Sequence, residues 1–193
     1  MKINRLMIFE TELSYIENPK IKEFTEKALN NLPEYFFSIP ASSSGKYHPK
    51  YALGEGGLVK HTQAAVRIAV EMFRLDVFKY TDDDKDVIIS SLILHDGYKS
   101  GIENSSHTVT EHPLIVTNML KTNTDVNSCI DENTLNMIVS NIESHMGSWC
   151  FDYKTKKQVL PKPKGKIQNF VHWCDYLASR KCLEFNFDVK VSR

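Results

Sequence analysis

Four of the seven histidines in this 193-residue chain, His61, His95, His112 and His145, fall at the ends or on the inner faces of segments whose apolar residues repeat at helical spacing. A lone histidine in such a place is more often a satisfied core residue than a ligand. The set as a whole reverses that balance. His61 lies one helical turn from Leu58 and Ala65 and so faces inward, His95 and Asp96 close the C-terminal end of their segment, and Asp175 faces inward from the last one. Separate segments thus direct imidazoles and carboxylates toward one centre. Burying that many polar groups without a shared cation is costly. Mixed imidazole and carboxylate ligands with open positions suit Mn, Fe, Co, Ni or Zn.

Other catalytic schemes find less support. There is no GxSxG elbow for a serine nucleophile. Ser44-Gly45-Lys46 superficially matches a phosphate loop, but Pro40 stands where its first glycine belongs, which excludes a triphosphate P-loop.

The elements that must carry these residues read as helices. Asn18 followed by Pro19 is an N-cap with proline at the first helical position, and Ile21, Phe24, Ala28, Leu29 and Leu32 follow until Pro33 stops the pattern. Leu58, His61, Ala65, Ile68, Ala69, Met72 and Phe73 mark a strong amphipathic helix. Asp82, Asp83 and Asp84 open the next, which carries Val87, Ile88, Ser91, Leu92 and His95 along one face and is expected to end at Gly97. A short helix from Pro113 to Lys121 has His112 at its entrance. Asp131 caps another, with Leu135, Ile138, Val139, Ile142 and His145 inside. Ile167, Phe170, Val171, Cys174, Leu177 and Ala178 define the last, which holds Asp175. Ser38 to Gly57 reads as a long ordered loop. Only the tail from Phe185 to Arg193 alternates like a strand, and one strand cannot make a sheet core. The fold class expected is all-α.

With these residues in order, His61, His95-Asp96, His112, His145 and Asp175, the chain resembles the HD-domain metal-dependent phosphohydrolase superfamily. Three stretches carry the likeness. GEGGLVKHT (Gly54 to Thr62) is similar to the helix with the first ligand histidine, LILHDGYKSG (Leu92 to Gly101) to the HD motif with a lysine three residues on, and DYLASRK (Asp175 to Lys181) to the closing helix. A single HD-type domain over residues 1–193 is expected, with 1–53 as an N-terminal helix and loop extension and 54–185 as the core of the helical bundle.

The resemblance implies roles. His61, His95, Asp96 and Asp175 would hold a first divalent transition metal, and His112 and His145 a second, with Asp96 bridging both. His112 is preferred to His107 for its EHPL setting, whereas His107 lies in a polar, Ser-rich loop and reads as a solvated surface residue. Lys99 would neutralise substrate phosphate beside the catalytic Asp96, and His48 and Tyr47 would line the pocket. His172, one turn before Asp175, reads equally as a support for the ligands or as a packed helix-face residue. The implied activity is metal-dependent hydrolysis, most simply of a nucleotide-like phosphodiester such as a cyclic nucleotide or a short oligonucleotide. Alternatives are a nucleotide phosphatase or triphosphohydrolase, an HD-fold oxygenase, and a non-catalytic nucleotide sensor.

Composition narrows the partners. Lys plus Arg equals 24 and so does Asp plus Glu, so the chain lacks the basic excess of a protein that grips duplex DNA. Six lysines between Lys154 and Lys166, preceded by Trp149, Phe151 and Tyr153, form a local exception. Such a run is more often a solvated loop, though its place directly after His145 keeps substrate contact in view. No apolar run approaches the roughly 20 residues of a membrane-spanning helix, and the first ten residues meet charge too soon for a signal peptide. Four cysteines without CxxC spacing fit a reducing compartment, so a cytoplasmic location is expected.

Overall fold

The computed structural model describes residues 4–42, 44–183, 185, 187 and 188. Its regular elements are helical; among the described residues the only β-type pairing is an isolated bridge between Phe151 and Gln158. In chain order the helices are α1 (Arg5–Ile8), α2 (Glu10–Ser14), α3 (Pro19–Asn31), α4 (Gly57–Met72), α5 (Asp82–Leu94), α6 (His112–Thr122), α7 (Thr124–Asn127), α8 (Glu132–Ser144) and α9 (Gly165–Ala178). None of them is long and apolar enough to cross a membrane.

Local chemistry sets the starts. The Asn18 side chain accepts from the amides of Lys20 and Ile21, with Pro19 at the first position of α3. Thr81 and Asp84 form a reciprocal capping box on α5, so Thr81 and three aspartates meet the positive end of the helix dipole. Asp131 caps α8 by accepting from the Thr134 amide. The start of α4 depends on a close approach. A Cβ on Gly57 would stand 2.3 Å from the Ala52 carbonyl oxygen, so the loop between α3 and α4 folds directly over the helix entrance.

Helices α4 and α5 are central. In α5 every residue from Asp86 to Leu94 is buried, and α4 is buried around most of its circumference. Each fully buried Leu or Ile here is worth roughly 1.5–3 kcal/mol over an exposed one. Two polar side chains inside this layer are paired: Ser91 donates to the Val87 carbonyl, and Asn141 of α8 donates to Ser91. Helix α9 packs along α4, while α8 packs on α5 and α6.

Two expectations need revision. Helix α5 ends at Leu94 rather than Gly97: His95 caps it with helical dihedrals, and the Gly97 amide then bonds to the Leu94 carbonyl in a tighter turn. The N-terminal segment is also more than one helix and a loop. Helices α1 and α2 precede α3 and put Phe9, Leu13, Tyr15 and Ile16 into the same continuous core as α4 and α5. The expected strand-like tail falls largely outside the described residues; within them, Phe185 and Phe187 pack edge-on against Tyr51.

The N-terminal segment is tied down by charge as well. Asp86 accepts from the amides of Glu17 and Asn18. Arg67 of α4 donates to Glu12 at 2.9 Å, with both side chains buried. Burial pushes the Glu12 carboxyl up against the opposing pull of Arg67. We expect Arg67→Met to leave Glu12 as an unpaired buried acid and to cost about 3–5 kcal/mol in urea denaturation at neutral pH. A carboxyl whose folded pKa is raised destabilises wherever the unfolded chain would ionise it. The loss should therefore shrink as pH falls toward about 4 and be smallest below that, where unfolded glutamate is protonated too. A loss under about 1 kcal/mol at neutral pH would mean that the pair does not anchor the segment.

Candidate metal centre

Five helices or helix ends converge on one buried point. His61 comes from the second turn of α4, His95 and Asp96 from the end of α5, His112 from the first residue of α6, His145 from the C-cap of α8, and Asp175 from α9. The four histidines and Asp96 are essentially inaccessible, while the Asp175 side chain is 18% exposed.

Three of the histidines share one local device. The Nδ1 atoms of His95, His112 and His145 lie 2.6, 2.7 and 2.7 Å from the carbonyls of Leu92, Val109 and Ile142, each three residues back. A carbonyl can only accept, so each Nδ1 carries a proton and each Nε2 is the nitrogen turned toward the centre, free to ligate once it carries none. Those nitrogens point at carboxylate oxygens. His112 Nε2 is 2.9 Å from Asp96 Oδ1, His145 Nε2 is 3.7 Å from the same oxygen, and His95 Nε2 is 3.4 Å from Asp96 Oδ2 and 3.5 Å from Asp175 Oδ1. Yet His95 Nε2, His112 Nε2 and Asp96 Oδ1 have no hydrogen-bond partner. Lone pair facing lone pair in a dry site is repulsive unless a proton or a cation lies between.

The donor atoms fall into two groups, each close enough to share an ion: His61, His95, Asp96 and Asp175, and Asp96, His112 and His145. Asp96 belongs to both. Residue types, imidazoles anchored through Nδ1 and orphaned polar atoms all fit a metal ion.

The protein's own charges compensate the carboxylates meanwhile. Burial alone would push Asp96 and Asp175 up, but both are held well below the ordinary carboxylate range, Asp96 by Lys99 and His95, Asp175 by the hydrogen bond from His61 and by the nearby charge of His95. Lys99 forms an ion pair with Asp96 Oδ2. For His95, burial opposes the cation, but the two carboxylates outweigh it and raise the imidazole to about 10. His145 goes the other way, down to about 3, through burial and the neighbouring His95 charge.

A cleft of about 400 Å³ opens onto the Asp175 side of this cluster. Lys99, His48 and Tyr47, singled out from the sequence, all line it. His48 sits with its ring centre 5.5 Å from that of His61 and keeps a buried Nδ1 without a partner; burial, then His61, lowers it to about 3, so it is neutral. His107 is exposed and borders a smaller neighbouring cavity, apart from the cluster. His172 donates from Nδ1 to the His145 carbonyl at 2.7 Å, with its ring seated where a Cβ on Gly147 would lie 2.3 Å away. It therefore supports His145.

The cleft also holds residues that sequence reasoning did not place there. Tyr176, Ser179 and Arg180 line it, with the Arg180 guanidinium 4.2 Å from the Tyr176 ring centre. Helical spacing was the available signal, since Ser179 follows Asp175 by one turn on α9.

Neither a family model, a curated protein nor a solved structure gives a significant match to this chain.

Metal should compete with the His95 proton. In metal-free protein at neutral pH His95 is charged, and a ligand imidazole must be neutral, so binding releases a proton. Apparent manganese affinity should rise with pH below the raised His95 value, by about tenfold per pH unit for each proton released. Calorimetric titration in buffers of different ionisation enthalpy checks this. Binding that is independent of pH between 6 and 8, a range chosen around ordinary imidazole values of about 6.5, would show that His95 is not displaced from its proton.

Proposed function

We propose that this chain is an HD-type metal-dependent phosphohydrolase, and within that class a phosphodiesterase acting on a nucleotide-like phosphodiester. The observation that carries the reading is the shared carboxylate: two ligand groups, four residues and three, meet at Asp96. The order of the ligands along the chain agrees with the HD resemblance, and the helical setting of each ligand is compatible with it.

In this reading His61, His95, Asp96 and Asp175 hold one divalent ion, and His112 and His145 hold a second with Asp96 between. Bound there, the ions supply Lewis acidity, which makes water acidic near neutral pH and stabilises the oxygens of a phosphoryl transfer. The chain's own side chains do the rest. Four neutral imidazoles and two carboxylates carry less negative charge than the cations they would hold, so with Lys99 and Arg180 the cleft attracts an anion. Lys99 sits beside Asp96 and is the cation nearest the centre, positioned to pair with a phosphate oxygen. His48, neutral at physiological pH, offers a hydrogen bond rather than a charge. His172 keeps His145 oriented through its backbone.

A nucleotide phosphatase with a single ion is the rival. The three-residue size of the second ligand group favours it, because the first group has four donors. Metal analysis and a substrate screen separate the two. Manganese-loaded protein should hold about two ions and hydrolyse bis(p-nitrophenyl) phosphate faster than p-nitrophenyl phosphate at neutral pH. One ion per chain with cleavage of monoesters or triphosphates alone would overturn the phosphodiesterase in favour of the phosphatase.

Lys99 provides an independent check. Lys99→Ala should retain metal and lower kcat/KM by about ten- to a hundred-fold, the worth of one charge-assisted contact. Lys99→Arg should rescue in part, because a planar fork does not reproduce a compact ammonium. Unchanged efficiency in Lys99→Ala would assign this lysine to balancing Asp96 and nothing more.

A further inference from the structure

The segment after His145 leaves the cleft as a built arm. Gly147–Trp149 forms a short 3-10 turn, and Cys150 to Leu160 then folds back on itself. The Asp152 amide donates to the Lys157 carbonyl, Val159 donates to the Cys150 carbonyl, and Phe151 bridges to Gln158. Cys150 and Leu160 are buried and anchor its base. What it carries outward is unusual for a chain with equal numbers of acids and bases. Lys154, Lys156, Lys157, Lys162, Lys164 and Lys166 are all exposed, and the segment's one acid, Asp152, is engaged by the Thr155 amide.

Three large aromatic rings stand just before this charge. Trp149, Phe151 and Tyr153 are 54%, 42% and 82% exposed, although exposed rings are costly in water. Lysine ammonium groups lie close to two of them, Lys156 at 4.2 Å from the Tyr153 centre and Lys162 at 5.5 Å from the Phe151 centre. Trp149 belongs to both features. It lines the cleft with Lys99 and Asp175, its ring stacked on Tyr176 at 5.9 Å, and it is the residue from which the arm departs.

We infer that this arm binds single-stranded nucleic acid and leads the strand into the cleft, which makes a single-stranded oligonucleotide, rather than a cyclic mononucleotide, the substrate class. The inference rests on the phosphodiesterase reading for what happens to the strand in the cleft, but not for its binding. Ring faces beside ammonium groups match a polymer that alternates planar bases with phosphates. A lipid surface offers the phosphates without the planar groups. A duplex keeps its base faces stacked and unavailable.

The test is fluorescence anisotropy of a labelled oligothymidylate of about twelve nucleotides, checked on a gel for intactness. The unmodified protein should bind it in preference to the matching duplex and to vesicles of phosphatidylserine and phosphatidylcholine. Log affinity should fall with log salt by about 0.7 per phosphate neutralised, and a Lys154→Gln, Lys156→Gln, Lys157→Gln triple variant should flatten that slope by about 2. Trp149→Ala should weaken binding by about 5- to 150-fold, the worth of one stacked base. Circular dichroism and metal content serve as fold controls. Absent binding, equal binding by either variant, or a preference for duplex or vesicles overturns the inference. Hydrolysis of bis(p-nitrophenyl) phosphate without strand binding would sink the arm and leave the phosphodiesterase, whereas strand binding with no diester hydrolysis would do the reverse.

Discussion

Buried imidazole nitrogens directed at buried carboxylate oxygens constrain everything else in this structure. His112 Nε2 and Asp96 Oδ1 stand 2.9 Å apart with no hydrogen bond to relieve them, while His95 Nε2, 3.4 Å from Asp96 Oδ2, is relieved by the proton that the two carboxylates hold on its ring. Such an arrangement costs several kcal/mol unless a positive charge is shared. It persists only because the surrounding helices are fixed by other contacts. Helices α4 and α5 are enclosed by apolar packing along most of their length, and α8 and α9 are pressed against them. The apolar core supplies the stability, and the polar centre draws on it.

The way the imidazoles are held follows from helix termini. The last carbonyls of a helix lack intrahelical partners. His95 and His145 stand at C-caps and return their Nδ1 protons to carbonyls of the last turn, so one bond satisfies an orphan acceptor and sets the tautomer. His112 reaches the same state at the start of a helix, from the carbonyl of Val109. His61, in the body of α4, has no free carbonyl to use and takes its orientation from Asp175 across the interface. Position in the helix thus decides which ring is held by backbone and which by a side chain.

This also accounts for what could be read in the sequence. The start signals at Asn18, Asp82 to Asp84 and Asp131 are local, and the helices begin where they say. His61, His95, His145 and Asp175 were legible because helical periodicity turns each inward, Asp96 and His112 joined them through the HD resemblance and the EHPL setting, and the folded chain brings all six together. The departures are non-local. Nothing near Glu12 announces that its partner is Arg67, so the depth at which α1 and α2 sit could not be read. The end of α5 comes three residues before Gly97, where the Gly97 amide bonds to the Leu94 carbonyl in a tighter turn while His95 and Asp96 face partners from other helices. Arg180 and Tyr176 come to the cleft through the packing of α9 on α4. The arm's lysines were visible, but their relation to the cleft depends on where Trp149 stacks.

The charge arrangement around Asp96 bears on how far the fold depends on metal. In small zinc domains the ligands are the core, and the chain is unfolded without the ion. Here the two carboxylates already have Lys99 and a protonated His95 as counter-charges. Each ligand also rides on a helix whose apolar face is buried elsewhere, down to the Glu12–Arg67 pair under the N-terminal segment. Metal binding would then exchange one set of positive charges for another inside a preformed cage, and would add stability by mass action rather than by creating the fold. On the proposed reading the exchange has a functional consequence. The cation a metal would displace from Asp96 is Lys99, which lines the cleft, so occupancy of the centre and a free ammonium facing substrate would be coupled through a single carboxylate.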